Sequence, residues 1–309
     1  MPEDDDDGSP QIRALPLLIL KDNVVFPGTT QSFTIEEPES IQALERAMRG
    51  PQTVVTAGQK SPEIEHPTPA DIHQVGTVCR ILQLIDYEDA PSRLTLEGLY
   101  TVKLKKFFPA GSGFEVRIKN LEEKRSRGKT IDNLNEHMLG LFEATIQSEQ
   151  TDLFRFIPPE GEEYTPETLL QIIEEYFQGD SEALQFFRSA VDSDDRWMRI
   201  GEYLQQQLVK IRPSRFVDDD GNPSFSAALS EGAPRDLIEN LFVTLLKEIS
   251  EYIAEPLEEA RSVESPGERA HYIASSLPIS VDLKQKILQL QDVEARIRYV
   301  CSCFEPQRP

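Results

Sequence analysis

Residues 17–20 (Leu-Leu-Ile-Leu) and 24–26 (Val-Val-Phe) are apolar runs too short for a helix and rich in strand formers, and Pro27-Gly28 punctuates them before residues 32–35 resume with polar and apolar residues alternating. A continuous apolar run of strand length must be covered on both faces, so this stretch has a place only inside a sheet. The rest of the N-terminal sequence supplies that sheet. Residues 53–57 form one expected strand. Residues 74–85 and 93–105 form two longer ones, joined as a hairpin by the polar turn 86–92, and residues 114–119 alternate strictly, as a strand with one buried face does. Pro38 opens a short helix with apolar Ile41, Leu44 and Met48 at helical spacing, which Gly50-Pro51 stops, and residues 61–69, with three prolines, are an extended loop. Residues 12–122 are therefore expected to be one β-rich domain.

Beyond a charged linker at 122–129 the pattern becomes helical. Thr165-Pro166-Glu167 starts a helix carrying Leu169, Leu170, Ile172, Ile173 and Phe177 before Gly179, and Trp197, Ile200, Leu204 and Leu208 mark another. Residues 209–217 are read as strand or extended chain. The acidic loop 218–223 lacks the alternating ligands and the twelfth-position glutamate of an EF-hand, so it is read as a solvated turn. Pro234 opens a long helix with the broad apolar face of a bundle member, from Leu237 and Ile238 to Ile253. Ser265-Pro266-Gly267-Glu268 has the form of a capping box, and helices at about 266–276, 281–290 and 293–304 follow, with Ser280 and Asp292 as caps. The expected class is α+β, divided into a disordered acidic tail (1–11), the β-rich domain (12–122), an acidic helical insertion with its linkers (123–233) and a C-terminal helical bundle (234–309). Polar linkers around the insertion predict that residues 131–207 can be replaced without loss of cooperative folding.

Fifty-four acids against thirty-two bases give a net charge of −22, which opposes the approach of a phosphate backbone, so nucleic acid is not an expected partner. Sixteen acids and four bases lie between Ile131 and Ile200, more than half of that imbalance. The acidic first ten residues exclude a secretory signal, and no apolar run approaches the ~18 residues of a membrane span, so a cytoplasmic protein without membrane attachment is expected. Three cysteines, Cys79, Cys301 and Cys303, do not make a disulfide framework. Cys301 and Cys303 could offer two thiolates to zinc, but no second ligand pair accompanies them, and His66, His73, His137 and His271 are isolated, so no metal site is expected. There is no Gly-x-x-x-x-Gly-Lys-Ser/Thr loop and no Gly-x-Ser-x-Gly elbow. No catalytic residue and no cofactor is assigned, and the chain is read as non-enzymatic.

Leu15-Pro16-Leu17, Lys21-Asp22 and Val24-Val25-Phe26-Pro27-Gly28 resemble the opening of the N-terminal, substrate-binding domain of Lon proteases, with Ile19 where that family usually has a second proline. Similar blocks follow in family order: Gln59-Lys60, Val75-Gly76-Thr77-Val78, Arg80-Ile81-Leu82, Leu96-Glu97-Gly98-Leu99, and later Pro266-Gly267, Arg269-Ala270, Leu277-Pro278, Lys284 to Leu288 and Asp292 to Ile297. The resemblance implies a strongly curved sheet or pseudo-barrel for the β-rich domain. It also implies a stand-alone protein that binds unfolded or exposed polypeptide without the ATPase and peptidase modules. A curved sheet can offer extended chain an edge or an apolar groove. Phe26, Pro27, Tyr87 and Phe108 are the candidate lining residues, because turns beside the sheet hold aromatics there. The alternative reading is an adaptor that binds one specific protein through the acidic helical insertion. Oligomeric state is not legible in the sequence.

Overall fold

A computed structural model describes residues 14–35, 37–87, 90–124, 128–157, 164–176, 185, 187, 189–217, 223 and 235–304. The fold is mixed α+β. Strands β1 (Leu15–Leu20) and β2 (Thr30–Ile35), helix α1 (Pro38–Met48) and strands β3 (Thr53–Gly58), β4 (Val75–Tyr87), β5 (Ala90–Ala110) and β6 (Gly113–Asn120) come first. Helices α2 (Lys129–Phe154), α3 (Pro166–Tyr176), α4 (Ser193–Ile211), α5 (Arg235–Ser262), α6 (Pro266–Ser276), α7 (Val281–Gln289) and α8 (Val293–Cys303) follow. The chain divides into two compact units: Met1–Phe142 with Glu259–Pro309, and Glu143–Glu258. The division falls inside α2 and α5 rather than in the polar linkers.

In the first unit the six strands run in the order β2-β5-β4-β3-β1-β6, and β5 pairs again with β6. Among the described strands only the β1–β3 pair is parallel. Register shifts at Val78/Cys79, Ile81/Gln83 and Leu104/Lys106 mark irregularities of the kind that bends a strand. The seam between β1 and β6 is two residue pairs, Leu15↔Val116 and Pro16↔Glu115, so the sheet is not a clear barrel. Period-two alternation sends Leu18, Val54 and Cys79 to one core, with Leu44 and Ala47 of α1, and their neighbours Leu17, Val55 and Val78 to a second, with Val102, Leu104, Val116 and Ile118. Burial on both faces is why β1 is written as an unbroken apolar run.

Several expectations are corrected. Val24, Val25 and Phe26 are buried but belong to no strand. The Thr77 hydroxyl donates to the Val25 carbonyl at 2.6 Å, and Gly98 lies so close that a Cβ there would sit 2.1 Å from the Phe26 carbonyl oxygen. The segment is thus strapped over the sheet by a side chain and a close approach, not by a ladder. The Pro27-Gly28 turn does form: Thr29 N–H donates to Phe26 O at 3.3 Å and Gly28 has φ +77°, the positive angle that a type II turn requires at its third position. In α1 the buried positions are Ser40, Ala43, Leu44 and Ala47, while Ile41 and Met48 are exposed, so the helix is rotated from the face its larger apolar residues suggest. The β4–β5 turn is tighter than 86–92, with Tyr87 already paired to Ala90. Residues 209–211 continue α4, and Pro213–Phe216 form a further helical turn, in place of the strand or extended chain expected there. The acidic run at 3–7 and most of loop 218–223 lie outside the described residues.

Helices α6 to α8 are tied to the sheet's own unit. Arg296, 2% exposed, donates to the carbonyls of Leu290 (2.7 Å) and Gly267 (3.2 Å) and pairs with Glu123. Gln285 Nε2 reaches the Val75 carbonyl at 2.9 Å. Ser280 and Asp292 cap α7 and α8 as expected, accepting from Leu283 N–H and Ala295 N–H. Ser265 makes no side-chain cap bond, so the capping box read from Ser265 and Glu268 does not form. The second unit has a separate core in which Leu153, Leu169, Ile173 and Leu204 pack with Leu208, Phe216, Ile238, Phe242 and Leu245.

Candidate functional site

Among the described residues β2 pairs with β5 alone, so its other side is a free edge. Gly98 N–H donates to Thr29 O at 2.9 Å and Gly98 O accepts from Gly28 N–H at 2.8 Å, so Gly28 and Thr29 face Gly98 as a bulge on the hydrogen-bonded phase of the ladder. Antiparallel pairs alternate, so Gln31, Phe33 and Ile35 turn their backbone groups toward β5 while Thr30, Ser32 and Thr34 turn theirs outward. The 3.0 Å contact between the Ser32 and Thr95 hydroxyls fits the closer side chains of a non-hydrogen-bonded pair. Three successive outward rungs are therefore available to another chain.

A cleft of about 670 Å³ opens along the start of this edge. Gly28 to Ser32 form one wall and Asn23 borders it, while Tyr272, Ser275 and Ser276 of α6 line it with Lys284 of α7. The helix wall is held by local bonds. Tyr272 O–H donates to the Glu259 carboxylate at 2.5 Å, Lys284 Nζ donates to Ser275 O at 3.1 Å, and the Ser275 hydroxyl donates to Tyr272 O at 2.6 Å. Burial pushes the Lys284 ammonium below its ordinary pKa. The lining is polar, rich in hydroxyl and backbone groups that can both donate and accept.

The strap beneath the cleft rests on a buried aromatic contact. Phe26, fully buried, stacks at 5.2 Å from the imidazole of His271, which is itself buried and whose ring nitrogens find no hydrogen-bond partner. Burial and the nearby Arg296 charge hold His271 well below its usual pKa, so it is neutral.

Of the four candidate lining residues Phe26, Pro27, Tyr87 and Phe108, the side chains of three are described. Phe26 is interior packing and faces α6 rather than solvent. Pro27 is half-buried in the turn that leads into β2. Tyr87 ends β4, and its side chain lies outside the described residues. Phe108 is half-buried on β5 with Lys106 and Arg117 over its ring at 5.4 and 5.8 Å. Sequence reading missed the cleft-lining residues Tyr272, Ser276 and Lys284. The only local signal for the cleft lay on its other wall, in the polar alternation of residues 32–35, which marks a strand with a solvated face. Cys301 and Cys303 are half-buried on α8 with thiols pushed up by burial, and no group of three or more His, Cys, Asp or Glu among the described residues could hold a metal. No helix among the described residues is long and apolar enough to cross a membrane.

Residues 14–304 match the family model of the ATP-dependent protease La (LON) substrate-binding domain. Similar curated proteins are Lon proteases: that of Syntrophomonas wolfei is 30% identical over 148 residues, 48% of this chain and 18% of the relative. That of Xanthomonas oryzae is 31% identical over 49% of this chain and 17% of its own length, and that of Solibacter usitatus 25% over 66% and 25%. The chain thus matches a quarter or less of the length of these relatives. Among solved structures, the Lon N-terminal domain protein from Xanthomonas campestris superposes with a TM-score of 0.41 at 13% identity, over 94% of this chain and 98% of that one. The N-terminal domain of Mycobacterium avium complex Lon protease gives 0.37 at 15% identity, over 60% and 94%. At these scores the superpositions add nothing to the family match.

Proposed function

Because the chain belongs to the LON substrate-binding domain family, we propose that it recognises other proteins as extended polypeptide segments, held as an added strand along the free edge of β2. The observation that carries this reading is the row of outward backbone groups at Thr30, Ser32 and Thr34 beside a polar cleft. Main-chain bonding along an edge tolerates many sequences, as a substrate-recognition role demands, and the hydroxyl-lined wall of α6 can satisfy polar groups of the incoming chain. An apolar groove is not needed. Affinity of the single segment is expected to be micromolar or weaker, because ordering a flexible chain offsets much of the contact energy. The role is binding without catalysis, and the first unit is the part that performs it.

Proline at an outward rung tests this directly. Ser32→Pro removes an N–H that the sheet itself does not use, whereas Gln31→Pro removes one that pairs with β5. In fluorescence anisotropy with a labelled, reduced and carbamidomethylated polypeptide free of acidic runs, Ser32→Pro is expected to weaken binding about tenfold, ~1.4 kcal/mol, with cooperative unfolding retained. Ser32→Ala should bind nearly normally, and Gln31→Pro should destabilise the fold. Unchanged binding by a folded Ser32→Pro protein sinks strand addition at β2.

A further inference from the structure

The far half of β5 and its partner β6 carry an arrangement that runs against the charge of the whole chain. Lys103, Lys105, Lys106, Arg117 and Lys119 are all exposed, and none has a carboxylate within ion-pair distance among the described residues. The ladder sets Lys103 directly opposite Lys119 and Lys106 directly opposite Arg117. Like charges opposed across a sheet are destabilising, and in this chain of net charge −22 no acid pairs with either rung: the one acid next in the row, Glu115 opposite Phe108, is paired with Arg46 of α1 at 3.9 Å. Buried Leu104 and Ile118 lie between the two rungs, so the cations share the outer face. Phe108 stands at the end of the row, its ring already engaged by Lys106 and Arg117.

We propose that this outer face of β5–β6 is a second docking surface, for acidic segments of a partner polypeptide in extended conformation. Arg117 and Lys119 are two residues apart on one face of a strand, ~6.7 Å, which is the spacing of alternate side chains in an extended peptide. Acids at every second position of such a peptide therefore meet successive cations. The choice of polypeptide over nucleic acid rests in part on the polypeptide-binding reading above. It rests also on two local facts: a net charge of −22 repels a long polyanion more than a short acidic segment, and Phe108 offers a stacking base a ring that two cations already occupy. The surface is distinct from the β2 edge, since β2 pairs with the Ser92–Glu97 half of β5 and β6 with the Val102–Ala110 half.

The test uses the full chain and a labelled peptide with glutamate at alternate positions, followed by anisotropy. The acidic peptide is expected to bind, to weaken as salt is raised, and to lose affinity roughly tenfold in the Lys106→Ala/Arg117→Ala protein and in Lys119→Glu. Its glutamine analogue should bind no better than background. Ser32→Pro should leave acidic-peptide binding unchanged, while Lys106→Ala/Arg117→Ala should leave binding of the neutral, carbamidomethylated polypeptide unchanged, so failure at one surface is told apart from failure at the other. No binding of the acidic peptide, equal binding by the double variant, or tighter binding of a single-stranded oligonucleotide of the same charge overturns the proposal. Binding that emerges only after Asp4, Asp5, Asp6 and Asp7 are replaced by asparagine also overturns it, by making the chain's own acidic run the occupant.

Discussion

At the scale of single residues, one close contact decides how the strap over the sheet is built. Gly98 meets the Phe26 carbonyl oxygen where a Cβ would sit at 2.1 Å, and the obstacle is backbone, which cannot swing aside. Gly98→Ala is expected to destabilise by about 3 kcal/mol, read as a lower urea midpoint. Gly140, in α2, has open space for 4 Å around the place a Cβ would take, so Gly140→Ala should stabilise by up to ~1 kcal/mol through helix propensity. His271 gives a pH dependence. Its folded-state pKa lies well below 6.5, while in the unfolded chain it titrates near its ordinary value, so below that value the unfolded state binds a proton that the folded state refuses. This contribution to stability is complete above about pH 7 and is lost as pH falls, by at most ~1.4 kcal/mol per unit. Melting wild type and His271→Leu between pH 7.5 and 5.5 should show a steeper decline in wild type. Parallel declines would mean that His271 does not titrate on unfolding.

At the scale of elements, caps separate what local sequence dictates from what packing permits. Asp292 accepts from Ala295 N–H at 2.8 Å at the start of α8, so Asp292→Ala should cost about 1 kcal/mol. Ser265, with the better-looking capping sequence, forms no such bond, and Ser265→Ala is expected to stay within about 0.5 kcal/mol of wild type. Thermal unfolding of the two variants side by side checks the contrast. The reason lies in the neighbours: the start of α6 is held by Arg296 bonding to Gly267 O, so its position is set by a residue 29 positions later rather than by its own cap.

At the scale of the whole molecule, the apolar contacts redraw the piece that can be removed. Leu208, Phe216, Ile238, Phe242 and Leu245 share one core with Leu153, Leu169 and Leu204. Replacing residues 131–207 alone would strip half of that core and expose the other half, and the product is expected to aggregate. Replacing 143–258 by a flexible linker removes the core entire and should leave a protein that unfolds cooperatively, because the sheet keeps both of its own cores. Calorimetry on both deletions decides it, and an aggregated 143–258 deletion would show that the first unit depends on the second.

The sequence by itself determined the strands of the sheet, the Pro27-Gly28 turn and the C-terminal helices with two of their caps, because each is specified by periodicity or by a residue whose backbone preference acts locally. It also carried the family, through short blocks such as Val24 to Gly28 and Asp292 to Ile297. Only the tertiary structure decided that residues 24–26 are strapped rather than paired, since that depends on Thr77 and Gly98 arriving from strands about fifty and seventy residues away. It likewise decided that β2 is an edge, that Tyr272 and Lys284 stand beside it, and that Lys103 opposes Lys119. Those are facts of pairing and of register, and no local pattern of side chains encodes which neighbour a strand will have.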